Sequence, residues 1–255
     1  MSRPDFVQSL ERGLAVIRAF DAAHPELTLS EVAAATSVTR AAARRFLLTL
    51  AELGYVRSDG RLFSLTPKVL ELGYAYLSSL SLPDVAEPHL ETLATEVNES
   101  SSISVLDRDD VVYVARVPVS RIMTVTISVG TRFPAYATSM GRVLLAGLPA
   151  DQLEEYLSRV RLQRLTSRTV SSVASLRAEL ARVKAQGWAI VNQELEEGLR
   201  AVAAPIRDRR DRVIAAVNIS TQASRTSLET MRRELLPPLL ATVKRIESDL
   251  STARR

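Results

Sequence analysis

The spacing of the apolar residues changes part of the way along this chain, and the change restricts the folds open to it. Near the N-terminus they recur every three or four positions, which is typical of one face of an amphipathic helix. These positions are Phe6, Leu10, Leu14, Ile17 and Phe20. After Val97 the stretch SISVLDRDDVVYVARV contains two strand-like runs around a charged turn. With 255 residues, the chain has room for a helical domain followed by a mixed α+β domain.

Two short helices are predicted in the first third, separated only by the tripeptide TSV. Ser30 is a plausible N-cap for a helix over residues 31–35 that turns Val32 and Ala35 inward. Thr39 is a plausible N-cap for a longer second helix that ends near residue 53. Two helices joined by so short a turn, the second of them longer, form a helix-turn-helix pattern.

A β-hairpin is predicted directly after this pattern. In GYVRSDGRLFSL, apolar residues lie on both sides of the turn residues Ser58, Asp59 and Gly60. The hairpin adds a wing, so residues 1–66 are predicted to form a winged helix-turn-helix domain.

The segment that follows is predicted to be a linker helix. It spans residues 67–82 and begins with Pro67, a favourable residue for a first helical turn. Pro83 and Pro88 punctuate a further helix that runs through Val97. We assign residues 83–255 to the second domain, because the spacing turns from helical to strand-like within this region.

The second domain alternates strand-like and helical segments. The run IMTVTISV alternates apolar residues with Thr and Ser, and WAIVN, LRAVAAPI and VIAAVNIS are also strand-like. Helices are predicted at about 138–147, 151–159 and 173–186, and a C-terminal helical region is interrupted by Pro237 and Pro238. The predicted class is therefore α+β.

One side of the second short helix is rich in arginine. A helical wheel gives a core face composed of Ala43, Phe46, Leu47, Leu50 and Leu53. Arg40 and Arg44 fall opposite that face, Arg45 lies on its flank, and the small Ala41 shares the arginine side. Such a side is either an ordinary solvated surface or a surface that enters the DNA major groove, where arginine pairs with guanine.

The distribution of charge favours DNA as the partner. Between Ser37 and Arg61 there are five arginines and two acidic residues, a local charge of +3, whereas the whole chain carries only +4. Charge focused on a helix and wing is typical of a protein that reads double-stranded DNA. The candidate DNA-binding residues are Thr39, Arg40, Ala41, Arg44, Arg45, Arg57 and Arg61.

Composition excludes several classes of protein. The chain has no cysteine, so disulfides and thiolate metal sites are excluded. No run of about 18 apolar residues suggests a membrane span, and the N-terminus does not resemble a signal peptide. We expect a cytoplasmic protein without a cofactor or a metal.

The sequence gives little support to an enzyme. The stretch ATSMG is similar in part to a nucleophile elbow, but Ala replaces its first glycine and no base is in evidence. The two histidines, His24 and His89, lie before the helix-turn-helix and near the linker, where neither fits a catalytic triad.

A candidate anion site lies in the second domain. In YATSMGRVLLAGL, small residues precede an apolar helical run, so the amides around Ser139, Met140 and Gly141 can meet a carboxylate at a helix N-terminus. An ordinary capped helix is the alternative. Asn218 interrupts the apolar stretch IAAVNIS, either as a structural hydrogen-bonding residue or as part of a pocket.

The chain resembles the IclR family of bacterial transcriptional regulators. The resemblance rests on SLERGLAVIRAF, LTLSEVAAATSVTRAAARRFLLTLAELGYV, YATSMGRVLLAGLP and GWAIVNQELEEGLRAVAAPIRD, in that order. It implies a winged helix-turn-helix, a linker helix, a GAF-like effector-binding domain, and a homodimer or dimer of dimers on operator DNA. The branch looks like the regulators of β-ketoadipate, protocatechuate and 4-hydroxybenzoate catabolism.

The resemblance also implies a set of effector-binding residues. They are Ser139, Met140, Gly141, Val191, Asn192, Leu199, Ala201, Asn218 and Ser220. The family usually has Asp or Ser at the position of Val191 and an aromatic residue or His at that of Arg207. Val191 makes the pocket more apolar, which suits an aromatic ring, so the expected effector is a small aromatic or dicarboxylic acid such as β-ketoadipate.

Two functions remain open at this stage. In the first, the acid biases the placement of the DNA-binding domains, a coupling that typically amounts to about 1–3 kcal/mol. In the second, the protein binds DNA without a ligand and its second domain only oligomerises.

Overall fold

The computed structural model describes residues 6–72, 81–119 and 127–252 and divides the chain into two compact units. The first unit spans residues 1–79 and the second spans residues 80–255. The division falls inside the predicted linker helix, of which residues 73–80 lie outside the described residues. The start of that segment is a 3₁₀ turn, Pro67–Val69, in which Thr66 Oγ1 accepts a hydrogen bond from the N–H of Lys68.

The first unit packs helices against a small antiparallel sheet. Its elements are α1 (Gln8–Arg18), β1 (Glu26–Thr28), α2 (Leu29–Ala35), α3 (Arg40–Glu52), β2 (Val56–Ser58) and β3 (Leu62–Leu65). The strand order is β1-β3-β2, so the predicted wing hairpin is confirmed and gains a third strand. Strand β1 went unpredicted because three residues are too few to show a period, although Leu27 within it is buried.

The cap of α2 differs from the prediction. Thr28, not Ser30, is the N-cap, and its Oγ1 accepts from the N–H of Glu31 at 3.3 Å. Glu31 Oε2 accepts in turn from the N–H of Thr28 at 2.7 Å, which lowers the pKa of this carboxyl group. This reciprocal pair begins the helix at Leu29. Ala35 is exposed instead of inward-facing, since Ala33 and Val38 take that side of the core.

The apolar face predicted for α1 is buried only at its C-terminal end. Val16 and Phe20 are buried, whereas Phe6, Leu10 and Leu14 are 54%, 62% and 48% exposed. Leu53, predicted on the core face of α3, is 52% exposed because it follows the last turn of the helix. In α3 itself, Ala43, Leu47 and Leu50 are buried, as predicted.

The second unit is built on a six-stranded antiparallel sheet. Its strands are β4 (Ser100–Asp107), β5 (Asp110–Val117), β6 (Arg132–Pro134), β7 (Ala189–Asn192), β8 (Leu199–Arg207) and β9 (Val213–Gln222). Their order in the sheet is β6-β5-β4-β9-β8-β7. The strand-like runs predicted at SISVL, VVYVARV, WAIVN, LRAVAAPI and VIAAVNIS are thus confirmed. In IMTVTISV, residues 122–126 lie outside the described residues, and Ile127 precedes a turn.

Helices cover the sheet. They are α4 (Ser81–Val97), α5 (Ser139–Ala146), α6 (Ala150–Arg159) and α7 (Val173–Gln186), which confirm the predicted helices. Helices α5, α6 and α7 share one hydrophobic core with Ala189, Ala203 and Ala216 of the sheet. The fold is therefore α+β, with a helix-turn-helix unit followed by a unit of sheet and helices. Within the three described segments, no helix has both the length and the apolar character needed to cross a bilayer.

The C-terminal helical region is continuous, so its predicted interruption at the prolines is wrong. Its parts are α8 (Leu228–Thr230), a π-helical turn (Met231–Leu235) and α9 (Leu236–Thr252). Pro237 and Pro238 lie in the first turn of α9, directly after the π-helical turn. The change in hydrogen bonding occurs in the wider π-helical turn just before them.

Candidate functional site

Helix α3 is held at its N-terminus by its predicted cap. Thr39 Oγ1 accepts a hydrogen bond from the N–H of Ala42 at 3.2 Å, and Ser37 makes the preceding turn with a left-handed φ of 53°. The helix has 13 residues and is therefore roughly 20 Å long. This length is enough to lie in a major groove.

The exposed side of α3 carries the three predicted arginines. Arg40, Arg44 and Arg45 are all exposed, as is the small Ala41 between them. Among the described residues, none of the three guanidinium groups has an ion-pair or hydrogen-bond partner. We call this surface the arginine face. A guanidinium group without a protein partner keeps all five of its N–H donors for a phosphate or a base.

The wing presents two further arginines. Arg57 on β2 donates through Nε to Ser64 Oγ at 3.0 Å, a bond across the hairpin that orients its side chain. Asp59 Oδ1 accepts from the N–H groups of Arg61 and Leu62 at 3.0 and 2.8 Å. These bonds lower the pKa of Asp59 and keep its carboxylate turned into the loop. Arg61 is therefore exposed at the tip of a fixed turn.

A small cavity lies at the start of α5. Its volume is about 20 Å³, enough for a single water molecule. Five of the nine predicted effector-binding residues line it: Ser139, Val191, Leu199, Ala201 and Ser220. We call it the α5 cavity. Residues from α5, β7, β8 and β9 meet here because alternate side chains of neighbouring strands share one face of the sheet.

Two buried polar atoms near this cavity lack a partner. Among the described residues, neither Ser139 Oγ nor Asn218 Oδ1 has a hydrogen-bond partner, although their residues are only 1% and 2% exposed. Asn218 uses its other amide atom, since Nδ2 donates to Ser220 Oγ at 2.9 Å. An unpaired buried polar atom costs about 1–3 kcal/mol, so a group that supplied a hydrogen bond to either atom would be stabilised there.

The candidate anion site at the start of α5 has fewer free backbone N–H groups than the sequence predicts. Thr138 is the N-cap of α5, and its Oγ1 accepts from the N–H of Gly141 at 2.9 Å. The N–H of Arg142 bonds to the Thr138 carbonyl. Among the described residues, this leaves the N–H groups of Ser139 and Met140 for an anion at the positive end of the helix.

Gly141 has a packing role that the sequence did not suggest. A Cβ atom at this position would lie 2.1 Å from the carbonyl oxygen of Ala135, which is far too close for a carbon and an oxygen atom that are not bonded. The missing side chain lets the first turn of α5 pack against the preceding 3₁₀ turn Ala135–Ala137.

Sequence reasoning missed Tyr113, which also lines the α5 cavity. Its ring lies edge-on to that of Phe133, with centroids 5.8 Å apart. Burial raises the pKa of Tyr113 to about 12, so its hydroxyl group stays protonated at neutral pH and can donate to a carboxylate. The inward alternation of Val111, Tyr113 and Ala115 in VVYVARV was the available signal, but it does not tell core from pocket.

The other predicted effector-binding residues lie elsewhere. Met140 is fully buried, and its sulfur accepts from Ser104 Oγ at 3.2 Å. Asn192 lines a second, larger cavity. Arg207, the second departure from the family pattern, donates its N–H to Glu247 Oε1 at 2.6 Å. Asn218 contacts Ser220, a lining residue, without being a lining residue itself.

Comparison with known proteins identifies both units. A model of the IclR helix-turn-helix domain matches residues 9–60, and a model of the C-terminal domain of bacterial transcriptional regulator IclR matches residues 74–248. The chain is 48% identical to the Pca regulon regulatory protein of Pseudomonas putida, over 93% of this chain and 82% of that protein.

Two solved structures extend the comparison. A candidate transcriptional regulator from Rhodococcus sp. RHA1 is 61% identical, with a TM-score of 0.89, over 98% of this chain and all of that one (100%). An IclR homologue from Microbacterium hydrocarbonoxydans, solved in complex with 4-hydroxybenzoate, is 26% identical. Its TM-score is 0.86, over 96% of this chain and 99% of that one. The relatives are named as regulators of transcription rather than enzymes, and this chain belongs to the IclR family of bacterial transcriptional regulators.

Proposed function

We propose that this protein is a ligand-responsive regulator that binds operator DNA through residues 1–66 and a small aromatic acid through residues 83–255, with residues 67–82 as the linker. The observation that carries the proposal is the arginine face. Three exposed guanidinium groups on a capped helix, without a partner among the described residues, form an electrostatic surface suited to a polyanion.

The DNA contacts follow from the geometry of α3 and the wing. Helix α3 would lie in the major groove, with Arg40 and Arg44 facing base edges and Ala41 allowing close approach. Arg45 on the flank and Arg57 and Arg61 on the wing would contact phosphates or the minor groove. Because bacterial DNA is cytoplasmic, the protein would act in the cytoplasm.

The chemistry of the α5 cavity favours an aromatic carboxylate. The amides of Ser139 and Met140 provide donors for the carboxylate, while Val191 and Leu199 provide apolar surface for a ring. The present volume of about 20 Å³ is too small for such an acid, so binding requires the cavity walls to move apart. Leu195, in the loop between β7 and β8, is one of these walls.

The relatives narrow the pathway. One is named for the Pca regulon, and a homologue has been solved with 4-hydroxybenzoate, so we assign this regulator to aromatic-acid catabolism. Protocatechuate, 4-hydroxybenzoate and β-ketoadipate are the candidate effectors. A homodimer or dimer of dimers would match a palindromic operator, and the exposed apolar residues Leu10 and Leu14 of α1 offer surface for such a contact.

Fluorescence anisotropy tests the proposal. The full-length protein is titrated onto its own upstream intergenic DNA at physiological salt, with and without each of the three acids. We expect binding tighter than to random DNA and a shift in Kd with one of the acids. An Arg40→Ala/Arg44→Ala double variant is the matched control, and it should lose the preference for the intergenic DNA.

Two results would change the assignment. If the protein binds its own and neighbouring promoters no better than random DNA, the DNA-binding proposal is wrong. If it binds specifically but equilibrium dialysis detects no aromatic acid bound, the result favours the alternative function, in which the protein binds DNA without a ligand and its second unit only oligomerises. The small volume of the α5 cavity is the observation that favours this second function.

A further inference from the structure

The second cavity in the C-terminal unit is much larger than the α5 cavity. Its volume is about 410 Å³, within the range of about 300–1,000 Å³ typical of small-molecule sites. Four arginines and two glutamates line it, so its lining carries a net charge of +2. We call it the arginine cavity.

Two of the four arginines are neutralised by the two glutamates. Arg142 is buried, with Nη2 2.6 Å from Glu194 Oε2 and Nη1 3.6 Å from Glu179 Oε1. Arg182 pairs with Glu179 at 2.6 Å. The charge of this group is balanced internally, so the excess positive charge of the cavity belongs to other residues.

The excess charge lies on Arg168 and Arg232. Both are exposed and line the cavity, and among the described residues neither guanidinium group has an ion-pair or hydrogen-bond partner. Arg168 lies in the loop before α7, and Arg232 in the π-helical turn before α9. Guanidinium groups donate paired hydrogen bonds to carboxylates, so each of these two residues can bind one carboxylate.

The uncharged lining residues of the arginine cavity indicate which chemical group could lie between two carboxylates of a ligand. Four of the six other lining residues contribute apolar surface, namely Val170, Trp188, Ile190 and Leu228, and the other two, Ser175 and Asn192, are polar. A phosphate ion has no apolar part to contact them, whereas an aliphatic chain between two carboxylates does. We propose that the arginine cavity is a second ligand site that binds a small dicarboxylate through Arg168 and Arg232, with its hydrocarbon chain against Trp188.

The site is separate from the α5 cavity but shares a strand with it. On β7, Val191 lines the α5 cavity, whereas Ile190 and Asn192 on either side line the arginine cavity. Neighbouring residues of a strand point to opposite faces, so the two ligands occupy different faces and can bind together.

Trp188 provides a direct readout, because it is the only tryptophan of the chain and it lines the arginine cavity. The full-length protein is titrated with adipate and, at the same ionic strength, with hexanoate, which has one carboxylate fewer on the same carbon chain. We expect a saturable change in tryptophan fluorescence with adipate and at least a tenfold weaker response to hexanoate.

Variants assign the response to the site. Arg168→Gln/Arg232→Gln should weaken adipate binding at least tenfold, whereas the control Arg233→Gln, at an exposed residue paired with Glu234, should leave it unchanged. Ser139→Pro, which alters the α5 cavity, should also retain the response. The proposal is overturned by an unsaturable response, by equal affinity for hexanoate, or by a double variant that binds normally. Loss of the response in Ser139→Pro would overturn it too, by assigning adipate to the α5 cavity.

Discussion

Gly141 lies where the backbone of α5 comes closest to the preceding turn. A methyl group at this position would lie 2.1 Å from the Ala135 carbonyl oxygen, and backbone cannot move aside as a flexible side chain can. We expect Gly141→Ala to lower the free energy of unfolding of the second unit by about 1–3 kcal/mol. Urea unfolding followed by Trp188 fluorescence measures it.

The matched control is a helical glycine with room for a side chain. At Gly13 in α1 a Cβ would make only an ordinary contact, 3.9 Å from Phe46. Gly13→Ala should therefore stabilise the first unit by up to about 1 kcal/mol, which far-ultraviolet circular dichroism can follow. Equal urea midpoints for wild type and Gly141→Ala would contradict the close approach.

Two variants of Ser139 distinguish the role of its backbone amide from that of its hydroxyl group in the α5 cavity. Proline is tolerated at the first position of a helix, and the extended conformation of Thr138, with ψ 150°, suits the residue before it. Ser139→Pro removes both the N–H and the hydroxyl group, whereas Ser139→Ala removes only the hydroxyl group. If the amide binds the carboxylate, Ser139→Pro should weaken aromatic-acid binding about tenfold beyond Ser139→Ala, a loss of about 1.4 kcal/mol. Equal affinities of the two variants in calorimetry would contradict the role of the amide, and they would assign the role to the hydroxyl group if both variants bound the acid more weakly than wild type.

Arg44 and Arg57 should affect DNA binding differently. If Arg44 makes a bidentate contact with a base, Arg44→Ala costs about 1–3 kcal/mol and relaxes base preference at one position. If Arg57 contacts a phosphate, Arg57→Ala weakens binding to all sequences alike and reduces the slope of log K against log salt by about 1. Anisotropy on an operator and its single-base variants, at several salt concentrations, distinguishes the two. Uniform weakening by Arg44→Ala would make Arg44 a phosphate contact.

Helix α5 and the loop between β7 and β8 are joined by a buried ion pair. Arg142, with a side chain 4% exposed, binds Glu194, which also accepts from the N–H of Val170 at 3.1 Å. Thr169 Oγ1 donates to the Glu194 carbonyl at 2.7 Å. The loop that carries Leu195 over the α5 cavity is thus held in place by Arg142 of α5 and by Thr169 and Val170 of the loop before α7.

Breaking this pair should therefore be costly. Glu194→Gln leaves the charge of Arg142 buried, and Glu179, at 3.6 Å, is then the one carboxylate paired with it among the described residues. We expect a loss of about 3 kcal/mol in unfolding free energy, toward the low end of the cost of breaking a buried pair. Glu155→Gln removes an exposed ion pair with Arg159 and should cost less than about 1 kcal/mol. Similar urea midpoints for the two variants would contradict the buried role of Arg142.

Helices and strands with a regular spacing of apolar residues were predictable from the sequence, whereas features that depend on tertiary contacts were not. The helices at 139–146, 150–159 and 173–186 follow from apolar spacing, and the long strands follow from alternation. The Thr28 cap is a local exception, because its reciprocal bond needs a Glu three residues later, which Glu31 supplies to Thr28 whereas Ser30 has Ala33 at that spacing. Tyr113 joins the α5 cavity only because β5 and α5 converge in space, which spacing along the chain does not report.

At the scale of the whole molecule, the proposed function requires that binding at a site in one unit changes the binding free energy at a site in the other unit. If an aromatic acid changes the affinity for the operator by a given factor, the operator must change the affinity for the acid by the same factor. The acid and the operator can bind in either order, and both orders lead to the same doubly bound protein. The binding free energies around this thermodynamic cycle must therefore sum to zero, whichever contacts couple the two units. The size of the factor is therefore measurable from either ligand.

We expect the factor to be about 5–150, the usual range for coupled sites. Calorimetric titration of the effective acid into the protein, alone and saturated with operator, gives one measure, and anisotropy with and without the acid gives the other. Arg44→Ala and Ser139→Pro should each weaken one ligand while leaving the two measures of coupling equal. If the operator affinity shifts with the acid but the acid affinity is the same with and without the operator, the two titrations do not report a single cycle of one protein species, for example because the acid changes the oligomeric state.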